Sequence, residues 1–348
     1  MVKQRSQEVG LSLVGIIANP ASGKDIRRLV AYGSVFDNQE KVRIVRRVLL
    51  GLAAAGVERI CYMPDYFGIV ERALARVEIN IPVFPTSFPL KGNQEDSIQA
   101  ARTMEEQGTA CIITLGGDGT NRAVAKGNGS VPILPISTGT NNVFPFMVEG
   151  TIAGLAAGLV AGKLIPVEES TFLSTQLEVV LDGKVVDLAL VDAVVYNDVF
   201  MASRAVWNMD KVRQIFLNRA KPDSIGLSSI GGLIHPIEAE EPQCLYLEIG
   251  RKGQPVTAPV APGIIEKVFI SNEKVMKMGE EVKIGSTPSV LALDGEREVE
   301  VRKGQYAAVR LGKDGPVVVD VGMTMSAAMK KRILAPGYIH RQPEENEV

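Results

Sequence analysis

Histidine and cysteine are scarce in this chain, and their scarcity removes whole classes of chemistry. With only His235 and His340 present, a histidine-rich metal site is excluded. The three cysteines, Cys61, Cys111 and Cys244, are odd in number and scattered. That argues against a disulfide framework and for a reducing, cytoplasmic setting. Positive charge is not in surplus either. A net charge of −2 leaves no electrostatic footprint for nucleic acid. The first ten residues, Met1 to Gly10, are polar and lack the apolar core of a signal peptide. The most apolar stretch, Ile152 to Ile165, is too short to span a bilayer and carries Lys163. Its small residues, Gly154, Ala157, Gly158 and Ala161, suit a helix packed closely on a neighbour. Neither a Walker A sequence nor a Gly-x-Gly-x-x-Gly fingerprint occurs where a nucleotide domain would carry it.

What the chain does have is Gly116-Gly117-Asp118-Gly119-Thr120, directly after the apolar run Ala110 to Leu115. The run reads as a buried strand, and Asn121 to Lys126 is compatible with a helix. A strand that breaks into glycines and restarts as a helix points bare N–H groups at one spot, which suits phosphate. The Asp118 carboxylate would be repelled there by roughly 4 kcal/mol at ~4 Å and an effective dielectric of about 20. A divalent cation, usually Mg²⁺, reverses that sign. The loop therefore reads as a site for a metal–nucleotide, with a plain Asp-Gly turn as the alternative.

At 348 residues the expectation is two domains. The first half alternates strands (Leu13 to Ala18, Val57 to Met63, Ala110 to Leu115, Val131 to Ile136) with helices (Val42 to Ala55, Ile69 to Val77, Asp96 to Gln107). This predicts an α/β domain with a parallel sheet over residues 1–160. From about Val167 the pattern predicts a mainly antiparallel β domain, residues 161–325, with a hairpin turn at Asp182-Gly183. A helix is expected at Asp210 to Ala220. Residues 326–348 read as a C-terminal extension packing back on the first domain, frayed from Gln342 onward.

Ligands bind beyond the carboxyl ends of strands in open parallel sheets. Three such ends carry small polar residues: Asn19-Pro20-Ala21-Ser22-Gly23-Lys24, the glycine loop, and Ser137-Thr138-Gly139-Thr140-Asn141-Asn142. Together they supply amides, hydroxyls and one lysine along a rim where a triphosphate fits.

These residues resemble the NAD kinase/diacylglycerol kinase superfamily, and within it the acetoin-catabolism X branch. The resemblance rests on the Asn19-to-Gly23 loop, Gly116 to Thr120, and the segment Ile225 to Pro236 with its Gly231-Gly232 and His235-Pro236. It extends to Asn197-Asp198 after a strand and to the late turn Asp294-Gly295-Glu296. It implies an ATP-dependent kinase using ATP and Mg²⁺, cytoplasmic, and a homodimer or higher homo-oligomer. Nucleotide contacts would come from Asn19, Ser22, Gly23, Lys24, Gly116, Gly117, Gly119, Thr120, Asn121, Thr138, Gly139, Thr140, Asn141 and Asn142. Asp118 would organise metal and phosphate or act as base. Asp294 and Glu296 would activate the acceptor hydroxyl, unless they only form a hairpin turn. Asn197, Asp198, Ser228, Ser229 and Gly231 would face the acceptor.

The departures concern the acceptor. NAD kinases carry Asn-Glu where this chain has Asn197-Asp198, and a tyrosine where Gly226 to Ser228 stand. Both changes remove contacts to a nicotinamide dinucleotide, so NAD or a smaller acetoin-related hydroxyl compound stays open as acceptor. A nucleotide-binding regulator that kept the fold and lost the chemistry is the competing reading.

Overall fold

The computed structural model describes residues 12–23, 36–197 and 209–336. Its first domain is built from β1 (Leu13–Ala18), α1 (Asn38–Ala54), β2 (Arg59–Tyr62), α2 (Ile69–Leu74), β3 (Val83–Pro85) and α3 (Gln94–Glu106). There follow β4 (Cys111–Gly116), α4 (Asp118–Gly127), β5 (Ile133–Ser137) and α5 (Gly150–Ala161). β1 and β4 are buried at every position, as expected of parallel strands covered on both faces.

The sheet runs β3-β2-β1-β4-β5, all parallel. β1 and β4 are neighbours, yet the chain leaves them toward opposite sides, which makes their carboxyl ends the topological switch point. Helices α1 and α5 cover one face, where Val45, Val48 and Leu49 meet Ala153, Ala156 and Ala157. The small residues of α5 do permit close approach: a Cβ on Gly154 would stand 2.3 Å from the Val48 carbonyl oxygen. Helices α3 and α4 cover the other face through Ala100, Met104 and Val124.

The second domain comprises β6 (Thr171–Leu173), β7 (Gln176–Leu181), β8 (Lys184–Ala189), β9 (Asp192–Tyr196), β10 (Val212–Leu217), α6 (Leu227–Gly232), β11 (Gln243–Ala261) and β12 (Ile264–Lys277). It continues with β13 (Glu281–Lys283), β14 (Ser289–Leu293), β15 (Glu296–Val301), β16 (Ala307–Gly312), β17 (Val317–Val319) and α7 (Val321–Lys330). Two antiparallel sheets, β12-β11-β10-β9-β14-β15 and β13-β16-β7-β8, close on a shared core that includes Leu177, Val179, Phe216, Tyr246 and Leu291. β17 and β6 extend the first sheet beyond β5, and α7 packs on α5 through Ala327 and Ala328 against Leu159.

The expected helix at Asp210 to Ala220 is instead a short 3₁₀ turn followed by β10. Val212, Ile215 and Phe216 have helical spacing. The strand, however, is buried on both faces, with Phe216 in one core and Ile215 and Leu217 in the other. No period-two signal survives double burial. The turn at Asp182-Gly183 forms as expected, with both residues at positive φ (47° and 79°).

Candidate functional site

Strand register brings the three loops together. Ala18 pairs with Leu115 and Gly116 with Ser137, so each loop leaves the sheet beside the next. Asn19 ties the first loop to the second: its N–H donates to the Leu115 carbonyl (3.1 Å) and its Nδ2 to Thr120 Oγ1 (2.9 Å). Ser22 ties the first to the third, accepting from Thr138 Oγ1 at 3.0 Å. Thr138 N–H in turn donates to the Gly116 carbonyl (3.2 Å). Gly23 turns at φ 76° against the Phe36 and Thr138 carbonyls, a conformation and a space that favour glycine. Lys24 lies outside the described residues.

The lysine that organises the first loop is Lys41, which the sequence reading missed. Fully buried on α1, its Nζ donates to the carbonyls of Asn19 (2.8 Å) and Ser22 (2.6 Å) and to Asn38 Oδ1 (3.0 Å). The available signal was a lysine one position before Val42 on a face otherwise turned inward.

Gly117 caps α4 in extended backbone, and a Cβ there would meet Asn142 Oδ1 at 2.8 Å. Asn142 is braced by Nδ2 bonds to Ser137 Oγ (2.8 Å) and the Gly139 carbonyl (3.3 Å). Thr140 is exposed and donates to Asn141 Oδ1 (3.1 Å). Asn121 points inward, donating to the Gly117 carbonyl (2.9 Å) and accepting from Thr114 Oγ1 (2.6 Å). It fixes the loop from behind.

Asp118 is partly exposed, and its carboxylate is engaged by the segment that directly follows the third loop. Its carboxylate accepts from the N–H groups of Val143 (3.0 Å) and Phe144 (2.8 Å). Burial pushes its pKa up to about 6; the Phe144 amide opposes this, the nearby Asp294 charge adds to it, and Arg219 pulls it down. Arg219, between β10 and α6, reaches across from the second domain. Fully buried, it donates to the Phe144 carbonyl (3.2 Å) and Ser174 Oγ (3.2 Å), and burial lowers its pKa to about 10.

The Asp294-Gly295-Glu296 turn meets the glycine loop, although about 175 residues separate them in sequence. It joins β14 to β15 with Asp294 at φ 50° and Gly295 at φ 82°. Its two acids differ in surroundings. Asp294 is buried and accepts from Leu190 N (3.0 Å), Val191 N (2.8 Å) and Asp192 N (3.1 Å). Burial raises its pKa, against the opposing influence of Arg122 and those amides. Glu296 keeps its side chain 46% exposed, and a Cβ on Gly119 would meet its Oε1 at 3.2 Å. Of the two, Glu296 is the one at the mouth.

Among the described residues, those expected to face an acceptor are not gathered with these loops. Asn197 is exposed and its N–H donates to the Lys211 carbonyl (2.9 Å); Asp198 lies outside the described residues. On α6, the Ser228 hydroxyl donates to the Arg219 carbonyl (2.9 Å) and that of Ser229 to the Gly226 carbonyl (2.6 Å). Gly231 lets α6 lie on Leu217, whose Cδ1 would be 2.2 Å from a Cβ. Through Ser228 and Arg219, this segment touches the site at one remove.

Among the described residues, no cluster of three or more His, Cys, Asp or Glu could cage a metal, and no helix is long and apolar enough to cross a membrane. All three cysteines are free and buried.

Both halves of the chain match known protein families. Residues 14–164 match the ATP-NAD kinase N-terminal domain family, and residues 175–314 match the acetoin catabolism protein X C-terminal domain family. Acetoin catabolism protein X of Cupriavidus necator is 37% identical over 336 residues, covering 92% of this chain and 94% of that protein. Yeast NADH kinase complexed with NADH aligns over 96% of this chain and 90% of its own, with 15% identity and a TM-score of 0.48. A candidate diacylglycerol kinase from Bacillus anthracis aligns over 88% and 97%, with 14% identity and a TM-score of 0.46.

Proposed function

The chain belongs to the acetoin catabolism protein X family, with a first domain of the NAD kinase type, and from that premise we propose that it is an ATP-dependent phosphotransferase acting on a hydroxyl acceptor. One observation carries the reading: three strand-end loops and one carboxylate, Glu296, converge at the amino end of α4. The helix start and the glycine amides offer N–H groups and positive potential to phosphate oxygens. Ser22 and Thr140 bring hydroxyls to the same rim, with Thr138 buried behind Ser22.

The donor set fits a Mg²⁺ that arrives with the nucleotide rather than a resident ion. Such an ion keeps several waters and takes only one or two protein carboxylates besides the phosphates. Glu296 is the half-exposed carboxylate beside the loop, whereas Asp118 is held by two amides. When bound, Mg²⁺ neutralises charge on the transferring phosphoryl group. In the transfer, the bond from the γ-phosphorus to its bridging oxygen breaks with ADP as leaving group. A bond to the acceptor oxygen forms, and the acceptor proton passes to a carboxylate or to water. Phosphoryl transfer needs positioning and charge stabilisation more than covalent help. In this reading Asp118, whose carboxylate orders the 143–144 segment, positions the loop.

The acceptor in this reading is a small hydroxyl compound, with NAD a poor substrate. By resemblance, the shortening of Asn-Glu to Asn197-Asp198 and the missing tyrosine support that preference, and Asn197 itself stands apart from the loops. Loss of one good buried hydrogen bond costs about 1–3 kcal/mol, or roughly 5- to 150-fold in discrimination. A scan of NAD, small polyols and hydroxyketones with purified protein and Mg-ATP tests it. Conversion of NAD to NADP at the rate of a dedicated NAD kinase contradicts it.

The engagement of Asp118 by two backbone amides favours a second reading, a nucleotide-binding regulator without turnover. Saturable ATP binding with no transfer to any acceptor in the same scan selects it.

A further inference from the structure

Helix α4 carries the glycine loop at its start and, on one face, the sequence Asp118, Arg122, Lys126 at four-residue spacing. Residues so spaced lie one above another. All three turn toward elements beyond the helix. Asp118 takes the Val143 and Phe144 amides, Lys126 Nζ lies 2.6 Å from Asp187 Oδ1, and Arg122 sits between them. The Arg122 side chain is completely buried, and three carboxylates of the second domain surround it: Asp187 Oδ1 at 3.4 Å, Glu296 Oε2 at 3.7 Å and Asp294 Oδ2 at 3.8 Å.

These carboxylates are not equivalent. Asp294 is fixed independently by three backbone amides, and Asp187 is shared with Lys126. Glu296 alone of the three has a half-exposed side chain. A planar guanidinium with five donors can hold several carboxylates at once, and the compact ammonium of lysine does so less well. A cation at this point offsets the mutual repulsion of Glu296, Asp294 and Asp187, whose carboxylates all converge within 3.8 Å of one guanidinium.

We propose that Arg122 is a positioning residue that docks the Asp294-Gly295-Glu296 turn on helix α4 and so holds Glu296 beside Gly119. Its consequence for Mg-ATP rests on the phosphotransferase reading; the docking itself does not.

The test uses the full chain and four variants: Arg122→Met, Arg122→Lys, Glu296→Gln and the double variant Arg122→Met/Glu296→Gln. Two quantities are read. One is hydrogen exchange at residues 293–297. The other is ATP affinity with Mg²⁺ and with EDTA, expressed as a ratio. Arg122→Met is expected to speed exchange in the turn about tenfold or more and to lower the Mg²⁺ ratio to that of Glu296→Gln, roughly five- to tenfold below wild type. The double variant should fall no further, because both changes remove one interaction. Arg122→Lys should lie between. A merely structural arginine would weaken both affinities alike and leave the ratio unchanged. The proposal is overturned if turn protection is unchanged, or if Arg122→Met keeps the wild-type ratio while Glu296→Gln loses it. Should Arg122→Met fail to fold, Arg122→Lys is read by the same two criteria. Wild-type protein that binds no ATP contradicts the phosphotransferase reading, and the exchange comparison then decides the docking by itself.

Discussion

Arg219 and Phe144 form a stacked pair across the domain boundary. The guanidinium carbon lies 4.2 Å from the ring centroid, and the same side chain donates to the Phe144 carbonyl at 3.2 Å. Because the Phe144 amide holds Asp118, the second domain reaches the glycine loop through this pair. Arg219→Met should therefore destabilise the protein by about 3 kcal/mol, the scale for losing charge-assisted bonds and stranding buried partners. Arg219→Lys keeps the charge without the stacked fork and should recover only part. Urea denaturation measures both. A loss below ~1 kcal/mol for the methionine variant means the pair clamps nothing.

Asp118 supplies a pH signature. Its folded pKa, about 6, lies above the ordinary value of 3.8, so folding takes up a proton between the two. The stability this contributes is fully present below about pH 4 and is lost as pH rises through 6. Asp118→Asn cannot titrate. Relative to wild type, the variant should gain on the order of 2–3 kcal/mol between pH 4 and pH 7. Denaturation at several pH values checks this; a difference that stays flat with pH shows that the carboxylate is not held as described. In the phosphotransferase reading, the same variant should lose phosphoryl transfer while remaining folded.

The α1–α5 contact makes a prediction free of any site. A Cβ on Gly154 would stand 2.3 Å from the Val48 carbonyl oxygen, and one on Gly51 the same distance from that of Thr151. Neither neighbour is a side-chain tip that can swing aside, so the helices must part. Gly154→Ala should cost about 1–3 kcal/mol despite alanine's better helix propensity. A thermal midpoint equal to or above wild type would show that α5 does not pack there as described.

How much of this was legible in the sequence follows from the range of the interactions. The parallel first domain, the antiparallel second and the three loops were readable, because strand ends, glycine runs and Asp-Gly turns are local signals. Helix α5 and its small residues were readable for the same reason. Arg122, Arg219 and Lys41 were not. Each is a buried cation with partners on other segments, and by sequence alone each looks like an ordinary surface charge. β10 was misread because burial on both faces erased its alternation. The length of the β11–β12 hairpin has no local signal either: Arg251 to Thr257 is polar and glycine-containing, yet it still pairs with β12 from Gln254 onward. The Asp294 and Glu296 turn was visible as a turn, but only the fold separates an acid caged by amides from one left at the mouth.

The most direct measurement of the central claim, that the three loops form a triphosphate site, is calorimetric titration of Mg-ATP into the full chain with thermal melting of the same samples. The account predicts saturable binding of one nucleotide per chain. It also predicts a raised melting temperature, since ligand at about 100 times Kd stabilises the native state by roughly 2.7 kcal/mol. Absence of both binding heat and melting shift with any nucleoside triphosphate at millimolar concentration would contradict it.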